Sequence, residues 1–143
     1  MYDVNTAKVE QVLTYMERML TLLSQNITYS DEELACDQIK QLAIERALHI
    51  CIEGIADVGN ALIDGFIMRD PGSYTDIVEI LRDETVLTDE QATVLHRVME
   101  FRKPLVTYSE ISVLDMSALV REALPILTTF APSVRTYIQK ELF

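Results

Sequence analysis

A chain of 143 residues has the length of one ordinary domain, and 49% hydrophobic residues with only 4 Gly and 4 Pro exclude a disordered, collagen-like or low-complexity protein. With 12 basic against 23 acidic residues the formal charge is -11, so the average surface repels phosphate and membrane headgroups, and any nucleic-acid contact has to be local. The longest apolar stretch, Leu48 to Met68, is broken by Glu53, Asp57 and Asp64, too many charges for a membrane span, and the N-terminus carries no signal-peptide pattern. The expectation is a cytoplasmic protein, a single domain over residues 1–143, with no membrane partner.

The first helix starts near Thr6, where Val9, Val12, Leu13, Met16, Leu20 and Leu23 recur at three and four residues, and it ends around Asn26. Ser30 and Glu33 form a capping box, and Asp31 and Glu32 suit the positive end of a helix dipole, so a second helix opens there. No proline follows until Pro71, which predicts one continuous helix to about Ile67, crossing Gly54, Gly59 and Gly65 where neighbours approach closely. Cys36 and Cys51 lie on that continuous helix, about 22 Å apart at its rise per residue, too far for a disulfide. With no histidine pair nearby, a metal site is not expected either.

Arg69-Asp70-Pro71-Gly72-Ser73 reads as a turn, and Ser73 with Asp76 caps a short helix through Leu81. Thr88 and Gln91 form a second capping box, opening a helix that continues to Arg102 or Lys103, where Pro104 bends or ends it. The last helical segment begins near Asp115, and Pro125 and Pro132 are expected to kink it or divide it in two. No strand alternation or internal repeat is present. The expected fold is all-α, an antiparallel up-and-down bundle of four main helices plus a short one.

On the second helix, Arg46, His49, Glu53, Asp57, Asn60 and Asp64 project within about 80° of one another as a polar seam, either a solvated face or a surface for a partner. On the helix after Thr88, the same projection puts Arg102 in the middle of the apolar face made by Ala92, Leu95, Val98 and Met99. A guanidinium keeps its charge, so its burial requires a carboxylate, backbone carbonyls or an anionic ligand. Glu53, Asp57, Asn60 and Asp64 are the candidate partners. The pairing is either structural or part of an anion-binding site. His49 and His96 read as structural or surface residues, and Tyr74 and Phe101 as core or contact residues. The sequence contains no Gly-rich phosphate loop and no nucleophile elbow, and no cofactor is expected.

Three segments carry a family resemblance: Asp57-Val58-Gly59-Asn60, then Arg69-Asp70-Pro71-Gly72-Ser73-Tyr74, and Phe101-Arg102-Lys103-Pro104-Leu105-Val106-Thr107-Tyr108. Together they resemble a HepT-like protein of the HEPN superfamily, whose pattern is a Gly-Asn on the second helix, an Arg-x-Pro-x-Ser-Tyr turn and a Phe-Arg-Asn-x-Leu-Val-His-x-Tyr ending. The resemblance implies an all-helical bundle that dimerises, bringing two Arg-x4-His motifs into a shared cleft. It also implies metal-independent RNA cleavage in active members. Their partner is an antitoxin of the nucleotidyltransferase (MNT) type, which can adenylylate the motif tyrosine.

The third segment departs from that pattern. Arg102 matches the arginine, but Lys103 takes the asparagine position, Thr107 the histidine position and Ser109 the tyrosine position, with Tyr108 one residue early. The motif positions Arg102, Thr107 and Tyr108 are the candidate catalytic residues. An arginine in that role stabilises phosphate charge and a histidine moves protons near neutral pH, which a threonine hydroxyl does not do. The expected function is therefore a dimeric, catalytically degenerate relative of the RNA-cleaving toxins. The alternative is an active metal-independent endoribonuclease, with RNA as substrate, neutralised by a nucleotidyltransferase antitoxin.

Overall fold

The computed structural model describes residues 2–143, and its elements in chain order are α1 (Thr6–Asn26), α2 (Asp31–Ala35), α3 (Gln38–Gly65), α4 (Tyr74–Asp83), α5 (Asp89–Glu100), α6 (Arg102–Val106) and α7 (Val113–Leu142). Four of these, α1, α3, α5 and α7, form the bundle, α4 is its short companion, and α2 and α6 are single-turn additions. Helix α3 is central. It packs against α1 along its length and also meets α2, α4 and α6, while α7 closes the other side against α1, α2 and α5. Leu13 and Leu23 of α1, Leu48, Ile52, Ile55 and Leu62 of α3, Leu95 and Val98 of α5, and Leu127, Phe130 and Val134 of α7 are all fully buried in one core. No helix among the described residues is long and apolar enough to cross a membrane.

Two boundaries differ from the sequence expectation, each for a local reason. The continuous second helix is two helices. Asp37 takes an extended backbone (φ -130, ψ 95) and its carboxylate accepts from the Lys40 N–H and binds Lys40 Nζ at 2.8 Å, so a second N-cap interrupts the run that Ser30 and Glu33 begin. Cys36 and Cys51 thus lie on separate elements, and both are free thiols. Cys51 is sealed in the core, and burial pushes its thiol up to about 12.

The helix after Thr88 stops at Glu100, and Arg102 opens α6 instead of continuing α5. Pro104 sits in the first turn of α6, where its missing N–H has no intrahelical partner to lose, so the proline belongs to a new helix rather than ending the old one. The helical projection from α5 consequently does not apply at Arg102. Helix α7 runs through Pro125 and Pro132 without division. Both prolines lie on the solvent side, opposite the buried Leu127, Phe130 and Val134, which keep the helix continuous against the core.

Polar clasps fix α7. Arg121 donates to Asp31 Oδ1 at 2.7 Å and to the Tyr29 carbonyl at 2.9 Å, and Arg135 bridges Glu10 and Glu17 of α1 at 2.6 and 2.9 Å. Buried Gln91 closes the capping box of α5 and donates across to Thr129 and Ser133 of α7.

At the end of α3, Ile67 adopts a left-handed backbone (φ 56), and the Met68 N–H returns to the Ile63 carbonyl at 2.8 Å. Here the N-terminal segment crosses the helix: Asp3 N–H donates to the Gly65 carbonyl, and a Cβ at Gly65 would stand 2.5 Å from Val4 Cγ2 and 2.9 Å from the Asp3 carbonyl oxygen. Backbone cannot step aside as a flexible side chain can. Gly65→Ala is expected to lower stability by about 1 to 3 kcal/mol, whereas Gly72→Ala, whose nearest neighbour is Asp76 Oδ2 at 3.7 Å, should stay within about 0.5 kcal/mol of the parent. Denaturant midpoints of the two variants check the contrast.

Candidate functional site

Three elements converge on one carboxylate. Glu53 sits near the middle of α3, Arg102 begins α6, and Tyr74 begins α4 directly after the turn at residues 69–73. Arg102 Nε donates to Glu53 Oε1 at 2.8 Å, the Tyr74 hydroxyl donates to Oε2 at 2.8 Å, and the Arg102 guanidinium lies 4.1 Å above the Tyr74 ring centre. His49, one helical turn before Glu53, brings Nε2 to 3.3 Å from Oε1. All four side chains are half-buried, Arg102 at 35% exposure and Glu53 at 29%, so part of the guanidinium remains open to solvent.

The electrostatics follow from that geometry. Burial by itself would raise the Glu53 carboxyl, but the hydrogen bonds from Arg102 and Tyr74 and the charges of Arg102 and His49 outweigh it and hold the group below its ordinary value. Tyr74 moves the other way, its phenol raised by burial and by the adjacent carboxylate. The Arg102 guanidinium is raised further by its bond to Glu53. Glu53 is therefore an anion at neutral pH, and the cluster is a paired charge with one cationic edge.

A second clasp aims Tyr74. Arg69 grips Asp76 with two bonds of 2.8 and 2.7 Å, the Gly72 N–H donates to Asp76 Oδ2 at 2.9 Å, and Ser73 Oγ accepts the Asp76 N–H as N-cap of α4. The bonds from Arg69, followed by that from Gly72, pull the Asp76 carboxyl down to about 2. The turn is thus pinned at both ends, and the first residue it releases into α4 is the tyrosine that touches Arg102 and Glu53.

Of the four acceptors considered for Arg102, Glu53 is the one in contact; Asp57, Asn60 and Asp64 continue the seam as exposed residues beyond it. Thr107 ends α6 at the surface, its hydroxyl 3.0 Å from the Lys103 carbonyl and 2.9 Å from Ser109 Oγ. Tyr108 is fully exposed and stands apart from the cluster. The cluster includes two residues that the sequence reading treated as structural or contact residues. His49 was signalled by its four-residue spacing from Glu53 on the polar seam, and Tyr74 by its place at the end of the Arg-x-Pro-x-Ser-Tyr turn.

Comparison with known proteins places the fold first. At TM-score 0.81 the chain superposes on a toxin–antitoxin crystal structure with AMP-PNP, at 16% identity over 90% of this chain and 97% of that one. At TM-score 0.80 it superposes on a tri-AMPylated HEPN toxin of Shewanella oneidensis in complex with an MNT antitoxin, at 17% identity over 90% and 96%. The architecture is that of a HEPN-like helical bundle.

The model of the family described as ribonuclease HepT-like matches residues 12–134, and the chain belongs to that family. A relative named "Putative RNase YutE", from Bacillus subtilis (strain 168), is 38% identical over 99% of this chain and 95% of its own. The structure of YutE, described as a cytosolic protein of unknown function, superposes at TM-score 0.90 over 99% of this chain and 96% of that one.

Replacing Arg102 with alanine leaves Glu53 half-buried without its cation, which should lower stability at pH 7 by about 1 to 2 kcal/mol, between the ranges for exposed and buried pairs. Glu53 titrates lower in the folded chain than in the unfolded one, so its contribution is complete above the ordinary carboxylate range. It is lost as pH falls through the folded value. The difference in melting temperature between parent and Arg102→Ala should accordingly shrink below about pH 4. Equal melting at pH 7 would show that the pair contributes nothing.

Proposed function

We propose that this HepT-like protein is a cytoplasmic homodimer in which RNA cleavage is attenuated because the Arg-x4-His motif lacks its histidine, and that it works beside an MNT-type nucleotidyltransferase. The observation that carries the reading is position 107: its hydroxyl is spent on the Lys103 carbonyl and Ser109, and a threonine does not exchange protons near neutral pH. Arg102 keeps a partly open guanidinium for a phosphate, but Glu53 and Tyr74 already engage it. A net charge of -11 further limits RNA to a local contact. The pairing with an MNT protein is supported by the toxin–antitoxin complex that shares this fold. The cytoplasmic assignment is supported by the cytosolic description of YutE.

The second reading is a fully active endoribonuclease. It draws on the RNase designation of YutE and on the retained arginine and turn.

Two measurements test the proposal. Light scattering at micromolar concentration should give twice the 16.3 kDa chain mass, and a monomer would refute the dimer. In EDTA, the unmodified protein should cleave RNA far more slowly than a family member with an intact motif, and Thr107→His should raise the rate, with Arg102→Ala as the control for contaminating nuclease. Fast cleavage by the unmodified protein that vanishes in Arg102→Ala would favour the second reading.

A further inference from the structure

We infer that His49 is the proton acceptor of the slow RNA cleavage that Arg102 still supports, a role the chain has moved from the end of α6 to the central helix. The inference rests on the attenuated-nuclease reading above. Among the residues gathered around Glu53, an imidazole is the side-chain type that normally changes charge between pH 5 and 8. It is also in place: His49 Nε2 is 3.3 Å from the same Glu53 oxygen that holds Arg102 Nε at 2.8 Å, so one carboxylate sets the positions of a base and of a phosphate-binding cation together. Such a carboxylate orients an imidazole and stabilises it once protonated.

Glu53 also lines a groove of about 250 Å³ between α1 and α3, together with Lys8, Gln11, Tyr15 and Asp57; His49 and Arg102 stand outside that lining. Lys8 offers a charge for a neighbouring phosphate, and Tyr15 is exposed and presents a ring on which a base can stack. Gly54 lets α1 and α3 pack closely beside it: a Cβ there would meet the buried Met16 Sδ at 2.5 Å.

The step balances without metal or cofactor. With Nε2–H directed at Glu53, His49 takes the proton of a ribose 2′-hydroxyl on Nδ1, the 2′-oxygen forms a bond to the adjacent phosphorus, and the bond from phosphorus to the 5′-oxygen breaks. The departing 5′-oxygen takes a proton from solvent, and the imidazolium returns its own to solvent. The products are a 2′,3′-cyclic phosphate and a 5′-hydroxyl. Arg102 stabilises the charge on the phosphate during transfer. Because the departing oxygen draws its proton from solvent, the reaction is slow but not absent.

The test uses the full-length protein, a fluorescently labelled single-stranded RNA and EDTA throughout. His49→Ala and His49→Gln should each lose at least about 100-fold in cleavage rate, with circular dichroism and melting unchanged in the glutamine variant, which keeps a polar partner for Glu53. Free imidazole should restore part of the activity of His49→Ala and none of that of Arg102→Ala. Thr107→His combined with His49→Ala should cleave at the level of Thr107→His alone.

Cleavage by His49→Ala equal to that of the parent, or a loss that imidazole does not repair, overturns the role of His49 while leaving attenuated cleavage standing. No cleavage by the parent, with activity appearing in Thr107→His, overturns His49 and shows that the lost motif histidine was sufficient to silence the site. No cleavage by either protein overturns both the role of His49 and the nuclease reading.

Discussion

The carboxylate of Glu53 is the point at which the bundle becomes a site. It lies on the central helix, whose apolar circumference is committed to the core, and it turns the polar strip of that helix into an acceptor for two donors from other parts of the chain, beside His49 one turn away. Without an anion there, Arg102 would carry an unpaired, partly buried charge and Tyr74 a half-buried hydroxyl with no partner. The short helices α4 and α6 are each only a few turns long, too short to persist alone, and both dock against α3 where this carboxylate waits. Packing brings them near; the shared acceptor sets which residue of each faces inward.

Much of the fold is legible in the sequence because helix starts are written in local chemistry. The boxes Ser30–Glu33 and Thr88–Gln91 and the cap at Ser73 lie where the structure places them, and the apolar stripe of α1 matches its buried face at Val9, Leu13, Met16, Leu20 and Leu23, with Val12 at the edge. The break at Asp37 is less legible, since an aspartate inside a strong helical pattern becomes a cap only when its backbone leaves the helix, a decision made by the docking of α2 on α3 and α7. Pro104 misleads in the opposite sense. Read as a terminator it ends α5, yet in the structure it is an early residue of α6, and the turn at Phe101 between the two helices has no side-chain signature.

The site is legible in part. Arg102 stands out as a cation in an apolar stretch, and Glu53 stands out on the seam, although the projection that joined them assumed an unbroken α5. Asp57, Asn60 and Asp64 have the same angular position as Glu53 but lie farther along α3, past the level of α6, so helical phase alone could not separate them from it. His49 belongs to no motif, and Tyr74 is marked only as the end of the Arg-x-Pro-x-Ser-Tyr turn. Their importance comes from tertiary convergence on a single pair of oxygens. Family membership accounts for the bundle and the arginine. It does not account for the threonine at 107, which leaves the polar groups of the chain collected one helix away from where the family's pattern would place them.

Ile67 gives the link between α3 and the Arg69 turn a mechanical character. A β-branched residue held at φ 56 carries a local penalty of about 1 to 2 kcal/mol that a glycine there would avoid. The Met68 return bond on one side and the Arg69–Asp76 fork on the other hold it in that conformation. The connector is therefore taut rather than slack: Ile67 is fixed from both sides, and through the Arg69–Asp76 fork its conformation helps set where α4 begins and so where Tyr74 stands over Arg102. The ring over the guanidinium is thus positioned in part from the far side of a turn, while Ile77 of the same helix stays buried against α3 at Gly59.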